Sequence, residues 1–167
     1  MKKTLMILIL TLFLLATAGT VFAEEIAKEG SFSATSSYSS SYVVLPMGNN
    51  YQITFEALGL AVTDSEDSPF NNASVRILGS GLVLDGNYNE VGSVSYTLTT
   101  GDQVFTKYEM KGIGPGKAIG NFTYIGGTGA FTEISGDGEI KRTNVPKPAM
   151  KGTVQGYTKL TGTWKLP

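Results

Sequence analysis

Between Ser31 and Val44 the chain runs SFSATSSYSSSYVV, a serine-rich stretch that composition alone would assign to a flexible linker. Its order says otherwise. Phe32, Ala34, Tyr38, Tyr42 and Val44 all fall at even positions, while Ser31, Ser33, Thr35, Ser37, Ser39 and Ser41 fill the odd ones. Successive side chains of a strand point to opposite faces, so this two-residue period describes a β-strand with one polar face.

The same period continues downstream. Tyr51, Ile53, Phe55 and Ala57 alternate with Gln52, Thr54, Glu56 and Leu58, ahead of a polar loop at residues 63–73 that holds Asp64, Glu66, Asp67 and Pro69. A third strand runs from about Ser74 to Leu84 and stops at the Asp85-Gly86 turn signal. A fourth sets Gly92, Val94, Tyr96 and Leu98 against Ser93, Ser95, Thr97 and Thr99, and Thr100-Gly101-Asp102 turns it tightly into Gln103 to Lys111. Gly112 to Gly116 make the next turn. Lys117 to Ile125 form the sixth strand, Ser135 to Thr143 the seventh, and Met150 to Leu166 the last, with Val154, Leu160, Trp164 and Leu166 on one face.

Eight strands joined mostly by hairpin-length loops predict an all-β, single antiparallel barrel, in which closure removes exposed edges. A β-sandwich is the competing architecture. The 21 glycines suit the bends and close packing of a barrel better than they suit disorder. In a closed barrel the last strand pairs with the first. The Trp164 face is then expected to meet Phe32, Ala34, Tyr38 and Tyr42, either as core or at the barrel mouth.

The N-terminus has a different character. Lys2 and Lys3 precede an apolar run from Leu5 to Ala16, and Val21 and Ala23 place slim side chains before a cut after Ala23. Residues 1–23 therefore read as a cleavable secretory signal and residues 24–167 as one β-barrel domain, secreted or periplasmic and free of the membrane after cleavage. The apolar core is short for a spanning helix, which needs about 20 apolar residues.

Composition removes much chemistry. The chain contains no His and no Cys, so Ser-His-Asp and Cys-His nucleophilic sites, zinc sites of imidazole and thiolate, and disulfides are all excluded. Neither EF-hand spacing nor a phosphate loop followed by Lys-Ser or Lys-Thr occurs. No metal and no cofactor is expected. Acidic groups concentrate before residue 103 and basic groups after it. That asymmetry leaves room for a homo-oligomer or charged ligand, although interleaved strands would mix it into an ordinary solvated surface. The lysines are scattered, so no nucleic-acid partner is expected.

Residues 120–139 read GNFTYIGGTGAFTEISGDGE. The aromatic strand, the Gly-Gly-Thr-Gly turn, Phe131 and the Ile134-Ser-Gly-Asp-Gly that follows resemble the C-terminal hairpin of the allene oxide cyclase and dirigent-like barrel superfamily, and uncharacterised exported bacterial proteins that share it. Specific similarity covers about Gly101 to Thr143. Gly126, Gly127 and Gly129 form a turn and carry no catalytic group, and no active-site residue of the plant cyclases or dirigent proteins maps onto this chain. The resemblance implies a barrel whose mouth or lumen holds a small apolar molecule.

A small hydrophobic ligand is thus the expected partner. The strand residues that stand out as candidates to contact it are Glu56, Arg76, Tyr96, Tyr108, Glu109 and Trp164. Each also has an ordinary reading: outer-face charge for Glu56 and Glu109, surface ion pair for Arg76, and core or rim packing for the aromatics. Two other functions stay open. An isomerase or cyclase would use a carboxylate or Tyr inside the barrel, and a structural or interaction protein would have its lumen filled.

Overall fold

The computed structural model describes residues 26–114 and 116–167, so the secretory signal expected at residues 1–23 lies outside the described residues. Eight strands follow in order: β1 (Glu29–Met47), β2 (Asn50–Thr63), β3 (Ala73–Leu84), β4 (Asn87–Thr97), β5 (Gln103–Gly114), β6 (Lys117–Gly127), β7 (Ser135–Asn144) and β8 (Val154–Lys165). A 3₁₀ turn at Gly129–Phe131 sits between β6 and β7. Each strand pairs antiparallel with the next, and β8 returns to β1 with Ala34 opposite Leu160 and Tyr38 opposite Gly156. That closed ring excludes the sandwich. Among the described residues no helix is long and apolar enough to cross a membrane.

Three strand limits differ from the sequence expectation. β2 runs on to Thr63 because its pattern inverts: small Ala57, Gly59 and Ala61 point inward, while Leu58, Leu60 and Val62 are exposed. Ala61 faces a space already taken by Phe32, Phe70, Phe122 and Tyr124, and a Cβ on Gly59 would sit 2.0 Å from the Ser37 carbonyl oxygen, so both positions take only small residues. β4 begins at Asn87, well before Gly92, so Tyr88 and Glu90 join its inner face. β8 starts at Val154, since Thr153 N–H donates to the Met150 carbonyl in a turn and Gly152 has a φ of +84°.

The two ends of the barrel are unlike. At one, Phe70 from the β2–β3 loop enters the lumen and packs on Phe32, Phe131 and Trp164, with ring centroids 5.3, 6.0 and 5.7 Å away. Leu98, Ile134 and Leu166 are buried beside them. These residues plug the end where β1 begins and β8 ends. The loop read as merely polar thus supplies the central ring of the core. The other end, ringed by the β1–β2, β3–β4 and β5–β6 hairpins and the β7–β8 loop, is open.

Candidate functional site

Tyr96 divides the barrel. Below its ring lies the aromatic plug; above it the lumen holds a cavity of about 260 Å³, walled by Ile53, Phe55, Ile77, Val94, Met110 and Ile140. Ligand pockets in proteins run from roughly 300 Å³ upward, so this one suits a small molecule. Toward the mouth a second, more open space of about 560 Å³ reaches Gly86, Asn87 and Lys117 on the hairpins. Ile53, Tyr88, Arg142 and Asn144 line both spaces and form the boundary between them.

That boundary carries the only buried carboxylate among the described residues. Glu90, on β4, is 2% exposed. Arg142, on β7, reaches across the lumen and places Nη1 2.5 Å from Glu90 Oε2. Tyr108 donates its hydroxyl to Oε1 at 2.8 Å, and the Tyr88 hydroxyl donates to Oε2. The guanidinium also lies over the Tyr88 ring, 5.6 Å from its centroid. A third hydroxyl proton is claimed nearby, where Tyr38 donates to Asn144 Oδ1 at 2.5 Å. Isolated buried charges are prohibitively costly, and this pair is tolerated because each partner neutralises the other and Glu90 accepts three hydrogen bonds.

The closed eight-stranded antiparallel barrel has counterparts of known structure. It is similar to two solved pterocarpan synthase dirigent proteins. With GePTS1 the TM-score is 0.52 at 12% identity, covering 86% of this chain and 90% of that one; with PsPTS1 it is 0.50 at 12% identity, covering 85% and 97%. The fold is a dirigent-like β-barrel. No protein-family model matches the chain, and no curated protein does.

Glycines determine where the tyrosines of this dirigent-like barrel lie. Gly79 and Gly92 are cross-strand partners, and a Cβ on either would sit 2.5 or 2.6 Å from the Tyr108 hydroxyl. Their bare backbone is the surface along which the Tyr108 ring extends to reach Glu90. Gly81 does the same for Tyr88, and Gly156 lets the Tyr38 ring pass to Asn144.

Burial sets the protonation of the cluster. It pushes Tyr38 up to about 12, with Arg142 acting in the opposite direction. Burial raises Tyr88 and Tyr108 well above the usual phenol range, and the neighbouring Glu90 charge adds to both. For Arg142 burial alone would lower the pKa, but Glu90 outweighs it and the guanidinium stays charged. The site therefore presents three protonated phenols around the Glu90–Arg142 ion pair.

The sequence candidates divide between inside and outside. Tyr96 forms the cavity floor and Tyr108 its wall. Glu56 and Arg76 pair with each other on the outer surface, Nε to Oε1 2.7 Å, with side chains 42% and 61% exposed. Glu109 is on the outer face of β5, and Trp164 is buried in the plug at the far end. None of these four lines the cavity. The alternation missed Glu90, Arg142, Tyr88, Tyr38 and Asn144 as site residues. Extending β4 back in phase from Gly92 would have placed Glu90 and Tyr88 inward, and the phase of Ile140 in β7 would have placed Arg142 and Asn144 inward too.

Proposed function

We propose that this is an exported protein that binds a small hydrophobic molecule in the open half of its barrel. The observation that carries the reading is the apolar cavity of about 260 Å³ above Tyr96, bounded by a polar cluster on one wall. Apolar walls supply binding energy in proportion to the area removed from water, and a few fixed polar groups supply orientation. A purely structural protein has no need to leave this half of its lumen unfilled, since close packing would stabilise it. The two dirigent proteins share only the fold, and the ligand reading rests on this chain's own cavity. Export is supported by the Lys2-Lys3, Leu5–Ala16 and Val21-Phe22-Ala23 succession.

A second reading, an isomerase or cyclase, draws on the inward carboxylate of Glu90 and the protonated hydroxyls of Tyr88 and Tyr108, which can act as acids. Binding is the better supported of the two, because every one of those protons is already directed at Glu90 and raised phenol pKa values oppose their departure.

Native mass spectrometry of protein purified from its own cells tests the proposal. Wild type is expected to carry an additional small mass that Ile77→Trp, which fills the cavity, has lost. Bare protein in both, with the variant as stable as wild type, would contradict it.

A further inference from the structure

Donors and acceptors in the cavity do not balance. Both Glu90 oxygens are occupied, Oε1 by Tyr108 and Oε2 by Arg142 and Tyr88, so the carboxylate has little left to offer a ligand. The Tyr38 proton is taken by Asn144 Oδ1, which leaves the Asn144 amide N–H groups without a partner among the described residues. A guanidinium has five N–H donors, yet Arg142 makes its one side-chain hydrogen bond through Nη1, and its buried Nε–H has no partner among the described residues. Ser36, 2% exposed on the same cavity wall, likewise has a hydroxyl without a partner. Ser36 stands opposite Thr158, and Thr158 opposite Arg142, so these groups lie along one cross-strand row of the inner surface. Buried polar groups are normally satisfied, and a cluster of orphan donors on one wall calls for an acceptor.

Charge narrows the choice. Glu90 already neutralises Arg142, so an anionic ligand would be a further, uncompensated charge in an apolar enclosure, and a cationic one would face Arg142 with no free carboxylate.

We propose that the cavity selects a neutral molecule with an apolar body and one oxygen acceptor, a ketone or ester carbonyl being the simplest form, seated against Arg142 and Asn144. The inference rests on the ligand-binding reading above and specifies the ligand's polar group. Tyr38, bonded to Asn144, and Tyr88, whose ring lies against the guanidinium, border that end of the cavity, while Ile53, Ile77, Val94 and Met110 line the rest.

Four probes of one shape test it by calorimetric titration: naphthalene, 2-acetylnaphthalene, 2-naphthoate and 2-naphthylmethylammonium. The neutral ketone is expected to bind at least tenfold more tightly than each of the others. Arg76 and Arg142 are the two arginines of the chain, so ¹⁵N spectra of the side-chain Nε–H groups provide a second readout, assigned with Arg76→Lys. The Arg142 signal is expected to move with the ketone and to stay in place with naphthalene. Arg142→Lys keeps a cation opposite Glu90 but removes the Nε–H; it should reduce the ketone's advantage over naphthalene to threefold or less. Should that variant not fold, the wild-type series decides alone. Equal affinity for ketone and naphthalene would overturn the acceptor inference while leaving the cavity as a binding site. Tightest binding of naphthoate or of the ammonium would overturn the neutrality argument. Binding of none would refute the ligand reading itself, and the inference with it.

Discussion

Gly79 has no side chain, yet it governs the site. Its added Cβ would meet only movable atoms, Phe55 Cζ and the Tyr108 hydroxyl, each at 2.5 Å. Gly79→Ala should therefore fold with a stability loss of ~1–3 kcal/mol, typical of overpacking, while displacing Tyr108 from Glu90. Denaturant unfolding measures the first effect and loss of probe affinity the second; full affinity would show that Tyr108 plays no part in binding. Glu90 should be less forgiving. Glu90→Gln leaves Arg142 charged and unpaired inside the barrel, a change that costs about 3–5 kcal/mol in buried ion pairs. A stability change below about 1 kcal/mol in denaturant unfolding would mean that the bridge is solvated rather than enclosed. The tyrosines predict a pH response with a definite sign. Tyr38, Tyr88, Tyr96, Tyr108 and Tyr124 all have phenol pKa values raised by burial, so folding favours their protonated forms. That stability is fully present below the unfolded phenol value of 10.0 and is lost as pH rises through the folded values, for Tyr38 between 10.0 and about 12. Phenolate absorbance should therefore appear late for these five and coincide with loss of the β circular dichroism signal. A smooth titration of every tyrosine near 10 with the fold intact would contradict their burial.

At the level of elements, the strands were legible where polar and apolar residues alternate without interruption. β1, β3, β5, β6 and β7 lie close to where the period places them, and the pairing of β8 with β1 matches the expected closure. Legibility failed where the inner surface is polar or empty. Tyr88 and Glu90 face inward at the start of β4, but a charged residue in a strand reads by default as an outer-face group, and Glu90 is inward only because Arg142 from β7 neutralises it across the lumen. No local pattern reports a partner that is 52 residues away. Phe70 was obscure for a related reason: it sits among Asp64, Glu66, Asp67 and Asn71, and its burial depends on rings from β1, β6, β8 and the 3₁₀ turn. The apolar face of β8 allows Trp164 to be either core or mouth, and the plug makes it core. Trp164→Ala should cost ~3–5 kcal/mol and is expected to misfold. Its emission should be blue-shifted, resist acrylamide and ignore probes bound in the cavity. Solvent-like emission would place the plug wrongly.

For the molecule as a whole, division of labour between two ends is what separates stability from function. The plugged end holds the large aromatic contacts, and the open end gives up packing to keep a cavity whose polar wall is preorganised by glycine, tyrosine and the Glu90–Arg142 bridge. With no thiol in the chain, the thermal midpoint should be the same with and without reductant. Protein recovered outside the cytoplasm should begin at or near Glu24 by intact mass, and a full-length membrane-held chain would contradict export. The claim that matters most is that the cavity, rather than the exposed apolar exterior, receives the ligand. Methyl NMR during titration with 2-acetylnaphthalene tests it directly. Saturable shifts are expected, confined to Ile53, Ile77, Met110 and Ile140, with Leu98, Ile134 and Leu166 of the plug unchanged. Shifts centred instead on the outward Leu58, Leu60 and Leu78, or no saturable shift anywhere, would contradict it.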